Sequence, residues 1–247
     1  MSLRKHLEDL EIFRATNNDP GIANACFKIG DIYLQRGNWN EAKEYLREAK
    51  AICGKLGNEE GGAITAIGLG DVYRNTKNYE TARTHYQMAL DFFEKNWDEK
   101  KIANLMERLG GLAREQGDLS GALEAYGKAK KICQNQNDEL GLAHFNEKIA
   151  MVYRSHGQFE TAIQSFEEAL KYYEQYRVVD RVAFVLTGLG ELHYKIGQPQ
   201  KALDYLNRSL QIYERLGAAK PAELLREEIT AIEATLHEEE KKEGDNG

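Results

Sequence analysis

The chain has 247 residues, of which 42% are hydrophobic, and this is ample apolar material for packed helices. Its 33 lysine and arginine residues are outnumbered by 40 aspartate and glutamate residues, so the formal net charge is −7. This balance argues against nucleic acid or an anionic membrane surface as the partner. No apolar stretch approaches membrane-spanning length, and the charged N-terminus is unlike a signal peptide. We therefore expect an intracellular, cytoplasmic protein.

One pattern recurs every 40 residues along the chain. Small residues share one position of the repeat: Gly30, Gly70, Gly110, Ala150 and Gly190. Large residues share another: Leu46, Tyr86, Tyr126, Phe166 and Leu206. Because a small residue lets a neighbouring helix insert a bulky side chain, this alternation predicts antiparallel helix pairs that pack closely. We predict an all-α solenoid in which each repeat packs on the next.

The predicted segments follow one another without insertions. Residues 1–17 read as the second helix of an incomplete repeat, which leaves open whether this helix is a natural cap or the chain is a piece of a longer protein. Residues 218–237 are expected to form a closing helix that begins at Pro221, and residues 238–247 a disordered acidic tail. Five full repeats lie between them, at residues 18–57, 58–97, 98–137, 138–177 and 178–217.

Helix boundaries are marked by polar and glycine positions. The first helices are expected to begin after side-chain N-caps, with Asp180 taking this role in the fifth repeat. The other predicted caps are Asn18, Asn58, Asp98 and Asp138. Asn38 and Glu41 have the spacing of a capping box. The first helices are expected to end before a left-handed residue, and Lys77 departs from the glycine found there in Gly37, Gly117, Gly157 and Gly197.

The motif Leu69-Gly70-x-x-Tyr73, followed by Ala82, Tyr86 and Ala89, resembles the tetratricopeptide repeat. The resemblance covers roughly residues 20–236, although the period exceeds the family's usual value of about 34. It is similar to the longer-helix class found in cell-polarity adaptors, kinesin light chains and bacterial peptide sensors. The resemblance implies a right-handed superhelix of helix pairs, about five repeats with a flanking half-repeat and a capping helix.

The resemblance also implies that the first helices line a concave, peptide-binding groove. Apolar groove residues, together with Ile64 and Ile67, would anchor a partner, although these two isoleucines could instead pack on the preceding repeat. The lysines and asparagines by which some family members clamp a terminal carboxylate are not matched, so we do not expect that activity. The predicted groove residues are Asn24, Phe27, Asp31, Leu34, Asp71, Arg74, Asn75, Asn104, Glu107, Arg114, His144, Glu147, Arg154, Phe184, Glu191 and Tyr194.

Arg74, Arg114 and Arg154 occupy the same position in three successive repeats. Guanidinium groups present forked donors to carboxylates and carbonyls, so a row of them favours an acidic ligand. The alternative is an internal ion network in which groove carboxylates neutralise the arginines, namely those of Asp71, Glu107 and Glu147. The two interpretations are compatible, because a partner's carboxylate could displace an internal one.

No pattern of metal-ligating or catalytic residues is found. Cys26, Cys53 and Cys133 lack C-x-x-C spacing, and Cys53 and Cys133 share a repeat position with Phe93, which predicts buried apolar roles. The histidines lack H-x-x-x-H pairing, and no glycine-rich stretch has the context of a phosphate loop. We predict no metal, no cofactor and no enzymatic activity.

The sequence therefore predicts a non-catalytic scaffold that binds a peptide or helix of a partner protein in its groove. Two alternatives stay open. The chain could be a structural part that assembles with copies of itself through the solenoid ends, forming a homo-oligomer. It could also be the peptide-sensing regulatory domain of a larger protein.

Overall fold

The computed structural model describes the backbone of residues 3–245 and the side chains of residues 3–238. Within this range the regular secondary structure is entirely helical, as predicted. The helices are α1 (Leu3–Ala15), α2 (Asp19–Gln35), α3 (Trp39–Lys55), α4 (Glu59–Asn75), α5 (Tyr79–Lys95), α6 (Glu99–Glu115), α7 (Leu119–Asn135), α8 (Glu139–Ser155), α9 (Phe159–Gln175), α10 (Val179–Lys195), α11 (Pro199–Arg215) and α12 (Ala219–Asp245).

Helix length and turn length together produce the repeat. Helices α2 to α11 each have 17 residues and are separated by three-residue turns, so two helices with their turns span the 40-residue period. The middle residue of each turn has a positive φ, which glycine adopts without strain. Lys77 adopts the same conformation with a φ of 60°, so it differs from the glycines in residue type and not in backbone.

The N-caps predicted for four of the first helices are confirmed. Each side-chain oxygen accepts a hydrogen bond from a backbone N–H of the first turn, at 3.0 Å for Asn18, 2.8 Å for Asn58, 3.0 Å for Asp98 and 2.9 Å for Asp138. Asp180 does not take this role, because α10 already begins at Val179 and places Asp180 inside its first turn. The side chain of Asn38 forms no capping hydrogen bond either.

The described residues up to Ala125 form the first of two compact units, and those from Tyr126 onward form the second, with the boundary inside α7. In the first unit, small residues receive large ones from the neighbouring helix. A Cβ atom added at Gly30 would lie 2.7 Å from Leu46, and one at Gly70 would lie 2.4 Å from the ring of Tyr86. Leu46 and Tyr86 are fully buried. The predicted alternation of small and large residues is therefore how α2, α3, α4 and α5 pack.

The second unit follows the same rule. Helices α8, α9 and α10 share an apolar cluster around Phe166, Leu186 and Leu189. A Cβ atom added at Gly190 would lie 2.6 Å from Leu206, which also packs with apolar residues of α12. Helix α12 covers α11, the position that the sequence predicts for a closing helix.

Helix α12 differs from the prediction at both ends. It begins at Ala219, two residues before Pro221, because proline is tolerated throughout the first turn. It continues to Asp245, so the backbone of residues 238–245 is helical where the sequence suggested disorder. Glutamate and lysine are good helix formers, and they extend a helix that is already nucleated. Residues 246–247 of the predicted tail lie outside the described residues.

Candidate functional site

Half of the predicted groove residues of the first unit line a pocket on α2, α4 and α6, namely Phe27, Asp31, Leu34, Asp71 and Asn104. Asn24, Arg74, Asn75, Glu107 and Arg114 are not part of its lining. The pocket has a volume of about 340 Å³. Its apolar wall is formed by Phe27, Leu34, Ile64 and Ile67, above the buried Leu46. Ile64 and Ile67 are half-buried and line this space. The polar lining consists of Asp31, Asp71, Lys100, Lys101, Asn104 and Arg108.

An ion pair stands at the centre of the polar lining. A guanidinium nitrogen of Arg108 donates to Asp71, whose same carboxylate oxygen accepts a hydrogen bond from the hydroxyl of Tyr86 at 2.7 Å. Burial, together with the charge of Asp71, raises the pKa of Tyr86 above its ordinary value. Arg108 also donates through Nε to the side chain of Asn104 at 3.0 Å. The carboxylate of Asp71 is thus already compensated from two sides.

The pocket carries one net positive charge. It is lined by three cations, of Lys100, Lys101 and Arg108, and by two carboxylates, of Asp31 and Asp71. These three cations are not among the predicted groove residues, because they lie at other repeat positions. The spacing of Asn104 and Arg108, four residues apart on one helix face, was the signal that could have placed Arg108 there.

Two of the three aligned arginines are paired with carboxylates. In the first unit, Nε of Arg74 donates to Glu115 at 3.0 Å, and this hydrogen bond raises the pKa of the guanidinium. In the second unit, Nη1 of Arg154 donates to Glu191 at 2.7 Å. Arg114 is half-buried and also engaged in an interaction.

Arg74 and Arg154 thus form ion pairs with neighbouring carboxylates, but not with those of Asp71, Glu107 or Glu147 that the sequence suggested. Each arginine reaches a carboxylate on the following first helix, because stacked repeats bring these helices side by side. Arg74 lies across Gly111, where an added Cβ would approach Nη2 to 3.1 Å. Because glycine has no side chain, the guanidinium group of Arg74 can cross this position and reach Glu115.

Glu147 differs most from its predicted position in the groove. It is only 1% exposed and accepts hydrogen bonds from the hydroxyl of Tyr173 at 3.0 Å and from Nη1 of Arg181 at 3.2 Å. Burial, with the nearby charge of Glu147, raises the pKa of Tyr173. Tyr173 and Arg181 come from the two following helices and enclose the carboxylate. Glu147 is therefore a buried structural group and is not available to a partner.

The other predicted groove residues have varied surroundings. Asn24 is exposed, and Asn75 is exposed with its amide donating to the backbone carbonyl of Asp71 at 2.8 Å. Phe184 packs against the core of the second unit, whereas Tyr194 is 42% exposed near the end of α10. Glu107 and His144 are half-buried and each is engaged in an interaction. The ring of His144 meets Phe145 edge-on at 5.2 Å.

The described residues also bear on metal binding and on membrane crossing. No group of three histidine, cysteine or acidic side chains there is arranged to hold a metal ion. The three cysteines are buried and free, as expected for apolar core positions. None of the described helices combines the length and apolar character that crossing a membrane requires.

A sequence model of the tetratricopeptide repeat matches four overlapping segments, residues 21–95, 62–135, 101–175 and 141–215. These segments cover most of the chain. The chain belongs to the tetratricopeptide repeat family. Tetratricopeptide repeats are protein-interaction modules and are generally non-catalytic. The resemblance inferred from the Leu69-Gly70-x-x-Tyr73 motif is thereby confirmed.

Solved tetratricopeptide structures share this fold at low sequence identity. BtubC (BKLC) from P. vanneervenii is 18% identical, with a TM-score of 0.76 over 87% of this chain and 91% of that one. A signal transduction ATPase with a tetratricopeptide repeat sensor, from Pyrococcus horikoshii, is 20% identical, with a TM-score of 0.73 over 82% of this chain and 31% of that one. A Rap protein complexed with competence and sporulation factor is 16% identical, with a TM-score of 0.60 over 87% and 65%.

These identities support a common fold and no more. The chain spans less than a third of the length of the signal transduction ATPase. A comparison with curated protein sequences finds no match.

Proposed function

We propose that this chain is a non-catalytic scaffold, and that its pocket on α2, α4 and α6 binds a peptide or helix of a partner protein. The observation that supports this most directly is the pocket's composition. The pocket combines half-buried apolar side chains, those of Phe27, Leu34, Ile64 and Ile67, with three cations. Peptide grooves take their affinity from a few apolar anchors and their orientation from a few polar groups.

The charge of the pocket favours a ligand with an acidic side chain beside an apolar one. The carboxylate of Asp71 is compensated by Arg108 and Tyr86, so it does not neutralise the ammonium groups of Lys100 and Lys101. Lys100 is exposed at the rim, and Lys101 is half-buried beside it. A partner's carboxylate would meet these ammonium groups while its apolar neighbour enters the pocket.

The aligned arginines take a secondary part in this proposal. A ligand carboxylate would have to displace Glu115 from Arg74 or Glu191 from Arg154. Both pairs are about one-third exposed, and such pairs contribute roughly 0–1 kcal/mol, so the exchange costs little. Free, buried cysteines such as Cys26 suit a reducing compartment, and we propose that binding takes place in the cytoplasm.

A second candidate function is that of a regulatory sensor within a larger protein. It is favoured by the similarity to the tetratricopeptide repeat sensor of the archaeal ATPase and to the Rap protein complexed with its factor. In a solenoid each repeat touches only its neighbours, so a bound ligand can change the pitch. A ligand-dependent change in radius of gyration, measured by X-ray scattering, would support the sensor; an unchanged radius would favour the static scaffold.

The scaffold proposal is tested by selecting peptides from a displayed random library and measuring their dissociation constants by fluorescence polarisation. The test variant combines Lys100→Glu with Lys101→Glu. The matched control is Lys55→Glu, at the exposed end of α3 and outside the pocket. We expect acidic–apolar peptides to bind the double variant at least tenfold more weakly than the control, with similar thermal midpoints. Equal affinity for the two variants would refute the assignment.

Light scattering separates the scaffold from the self-assembling alternative. A monomer whose mass is independent of concentration argues against assembly through the solenoid ends. Growth of the mass with concentration would support a homo-oligomer instead.

A further inference from the structure

A second opening lies between α3, α4 and α5 in the first unit, which we name the α3–α5 cleft. Its volume is about 570 Å³, and its lining is mostly apolar. It shares no lining residue with the pocket on α2, α4 and α6. All three helices contribute residues to the lining of the cleft. These include Lys50 and Gly54 from α3, Gly62 and Ala66 from α4, and Met88 and Phe92 from α5.

The cleft is open because Gly62 interrupts the repeat. The same repeat position holds a larger apolar residue in every other copy, namely Ile22, Ile102, Leu142, Val182 and Ala222. All of these side chains are buried or half-buried. A Cβ atom added at Gly62 would meet no atom within 4 Å, and the same holds for Gly54. Packing therefore does not require glycine at either position, and glycine weakens a helix interior.

Gly54 and Met88 depart from the repeat in the same place. Other copies have long polar or charged residues at the position of Gly54, which are Arg14, Glu94, Gln134, Glu174 and Glu214. The position of Met88 is charged in the remaining copies, as Glu48, Lys128, Glu168 and Arg208. Met88 is nevertheless 47% exposed. Three departures thus remove side-chain volume and charge from one surface and leave an apolar cleft.

Trp97 is an exposed aromatic residue that lies close in sequence to the residues of the cleft. Trp97 stands two residues beyond Lys95, which lines the cleft, and it is 86% exposed. Its φ is 56°, at a turn position that Gly57 and Gly217 occupy in other copies. A bulky residue in this conformation is strained, and a strained, exposed tryptophan points to a role outside folding. Tryptophan is also among the residues that contribute most to protein interfaces.

The lining of the cleft holds two cations, Lys50 and Lys95, of which Lys50 is the half-buried one. Its Nζ approaches the sulfur of Met88 at 3.6 Å, and among the described residues no carboxylate pairs with it. Burial lowers the pKa of Lys50 with no acidic neighbour to offset it. The lining contains two carboxylates, those of Asp91 and Glu59. Asp91 accepts a hydrogen bond from the side-chain amide of Gln87 at 2.7 Å, and Glu59 is the first residue of α4. A half-buried ammonium without a counter-ion is complementary to an anionic group on a ligand.

We propose that the α3–α5 cleft is a second docking site, for a partner segment that carries a large apolar side chain close to a carboxylate. The apolar side chain occupies the space above Gly54 and Gly62, beside Met88 and Phe92. The carboxylate pairs with Lys50, and Trp97 contacts the outer side of the segment. This site is independent of the pocket on α2, α4 and α6, so either proposal can fail without the other.

The repeat itself supplies the variants for a test. Gly62→Leu introduces the residue of Leu142 and fills the cleft, and Lys50→Leu introduces the residue of Leu90 and removes the ammonium. The probes are two arrays of synthetic 12-residue peptides. One array carries leucine, phenylalanine or methionine within four residues of aspartate or glutamate, and the other replaces each acidic residue by its amide.

We expect some members of the acidic array to bind the Lys100→Glu and Lys101→Glu double variant as tightly as wild type, which assigns those members to the cleft and not to the pocket on α2, α4 and α6. Wild-type protein should bind these members at least tenfold more tightly than their amide counterparts. Gly62→Leu should weaken them at least tenfold, and Lys50→Leu should reduce the preference for acid over amide to less than twofold. Trp97→Gly should weaken binding without lowering the thermal midpoint.

The proposal is overturned if no peptide binds, or if Gly62→Leu, shown to be folded by circular dichroism, binds as tightly as wild type. Equal affinity for the acidic and amide arrays would overturn the role of Lys50. Loss of binding in the double variant alone would assign the peptides to the pocket on α2, α4 and α6 and would likewise overturn the second site.

Discussion

Replacing Glu147 by alanine tests whether this side chain is structural or faces a ligand. The carboxylate is 1% exposed and accepts hydrogen bonds from Tyr173 and Arg181. In the variant the buried hydroxyl of Tyr173 loses its acceptor, whereas Arg181, with 42% of its side chain exposed, can turn to water. The loss therefore comes mainly from one unsatisfied buried hydroxyl and from the space left by the removed side chain.

The expected destabilisation follows from these two contributions. Leaving a buried polar group unsatisfied costs about 1–3 kcal/mol. The cavity adds on the order of 1 kcal/mol for the lost methylene group. We expect Glu147→Ala to lower the free energy of unfolding by about 3 kcal/mol, because Arg181 is 42% exposed and can replace the lost carboxylate by water. Glu191→Ala, which removes the partially exposed partner of Arg154, should cost about 0.5 kcal/mol.

The two variants are compared by urea unfolding, followed by circular dichroism, and by their thermal midpoints. For a chain of this length each kcal/mol corresponds to roughly 2–4 °C, so the expected difference between the variants is readily measured. Tyr173→Phe provides a further comparison, because it removes the hydroxyl and leaves no donor unsatisfied. If Glu147→Ala is no less stable than Glu191→Ala, the buried hydrogen-bond network is not the role of Glu147.

Three more predictions concern packing, turn strain and pH. Gly70→Ala should destabilise the protein by about 1–2 kcal/mol in urea unfolding, because the new methyl group meets the buried ring of Tyr86; a gain in stability would contradict this packing. Trp97→Gly should raise the free energy of unfolding by about 1 kcal/mol, because it relieves a positive φ and loses little burial; a decrease would show that the indole stabilises the fold. Burial, with the charge of Lys50, lowers the pKa of His85 to about 4, so folded protein keeps this ring neutral while unfolded chain protonates near pH 6.5. Stability should therefore decline as the pH falls from 6.5 to 4, and His85→Phe should flatten that part of the curve; an unchanged slope would exclude His85 as the cause.

The fold could be predicted because its determinants are local and repeated. Small and large residues alternate with the period, and the structure brings Gly70 against Tyr86 as that alternation predicts. Asparagine and aspartate caps act within three residues of their own position, so they could be recognised from the sequence. Residues 238–245 were predicted wrongly. Their composition suggested disorder, but helix α12 begins earlier in the chain and continues through them.

The candidate sites could be predicted only in part. The repeat positions predicted that Phe27, Leu34 and Asn104 lie on one surface, and all three line one pocket. They could not distinguish Ile67, which lines the pocket, from Glu147, which occupies the same repeat position and is buried. That difference depends on Tyr173 and Arg181, which lie 26 and 34 residues further along the chain.

The sequence by itself determined the helix pairs, their period, their caps and the family, because each of these depends on neighbours along the chain or on an interval that recurs. Only the tertiary structure decided which charges are already paired and where packing leaves space. Arg74 and Lys50 are both cations on helices of the first unit, yet one meets Glu115 and the other meets no acid among the described residues. The physical reason is that pairing and free volume depend on side chains contributed by neighbouring helices. A single substitution, such as glycine at position 62, changes them without disturbing the repeat.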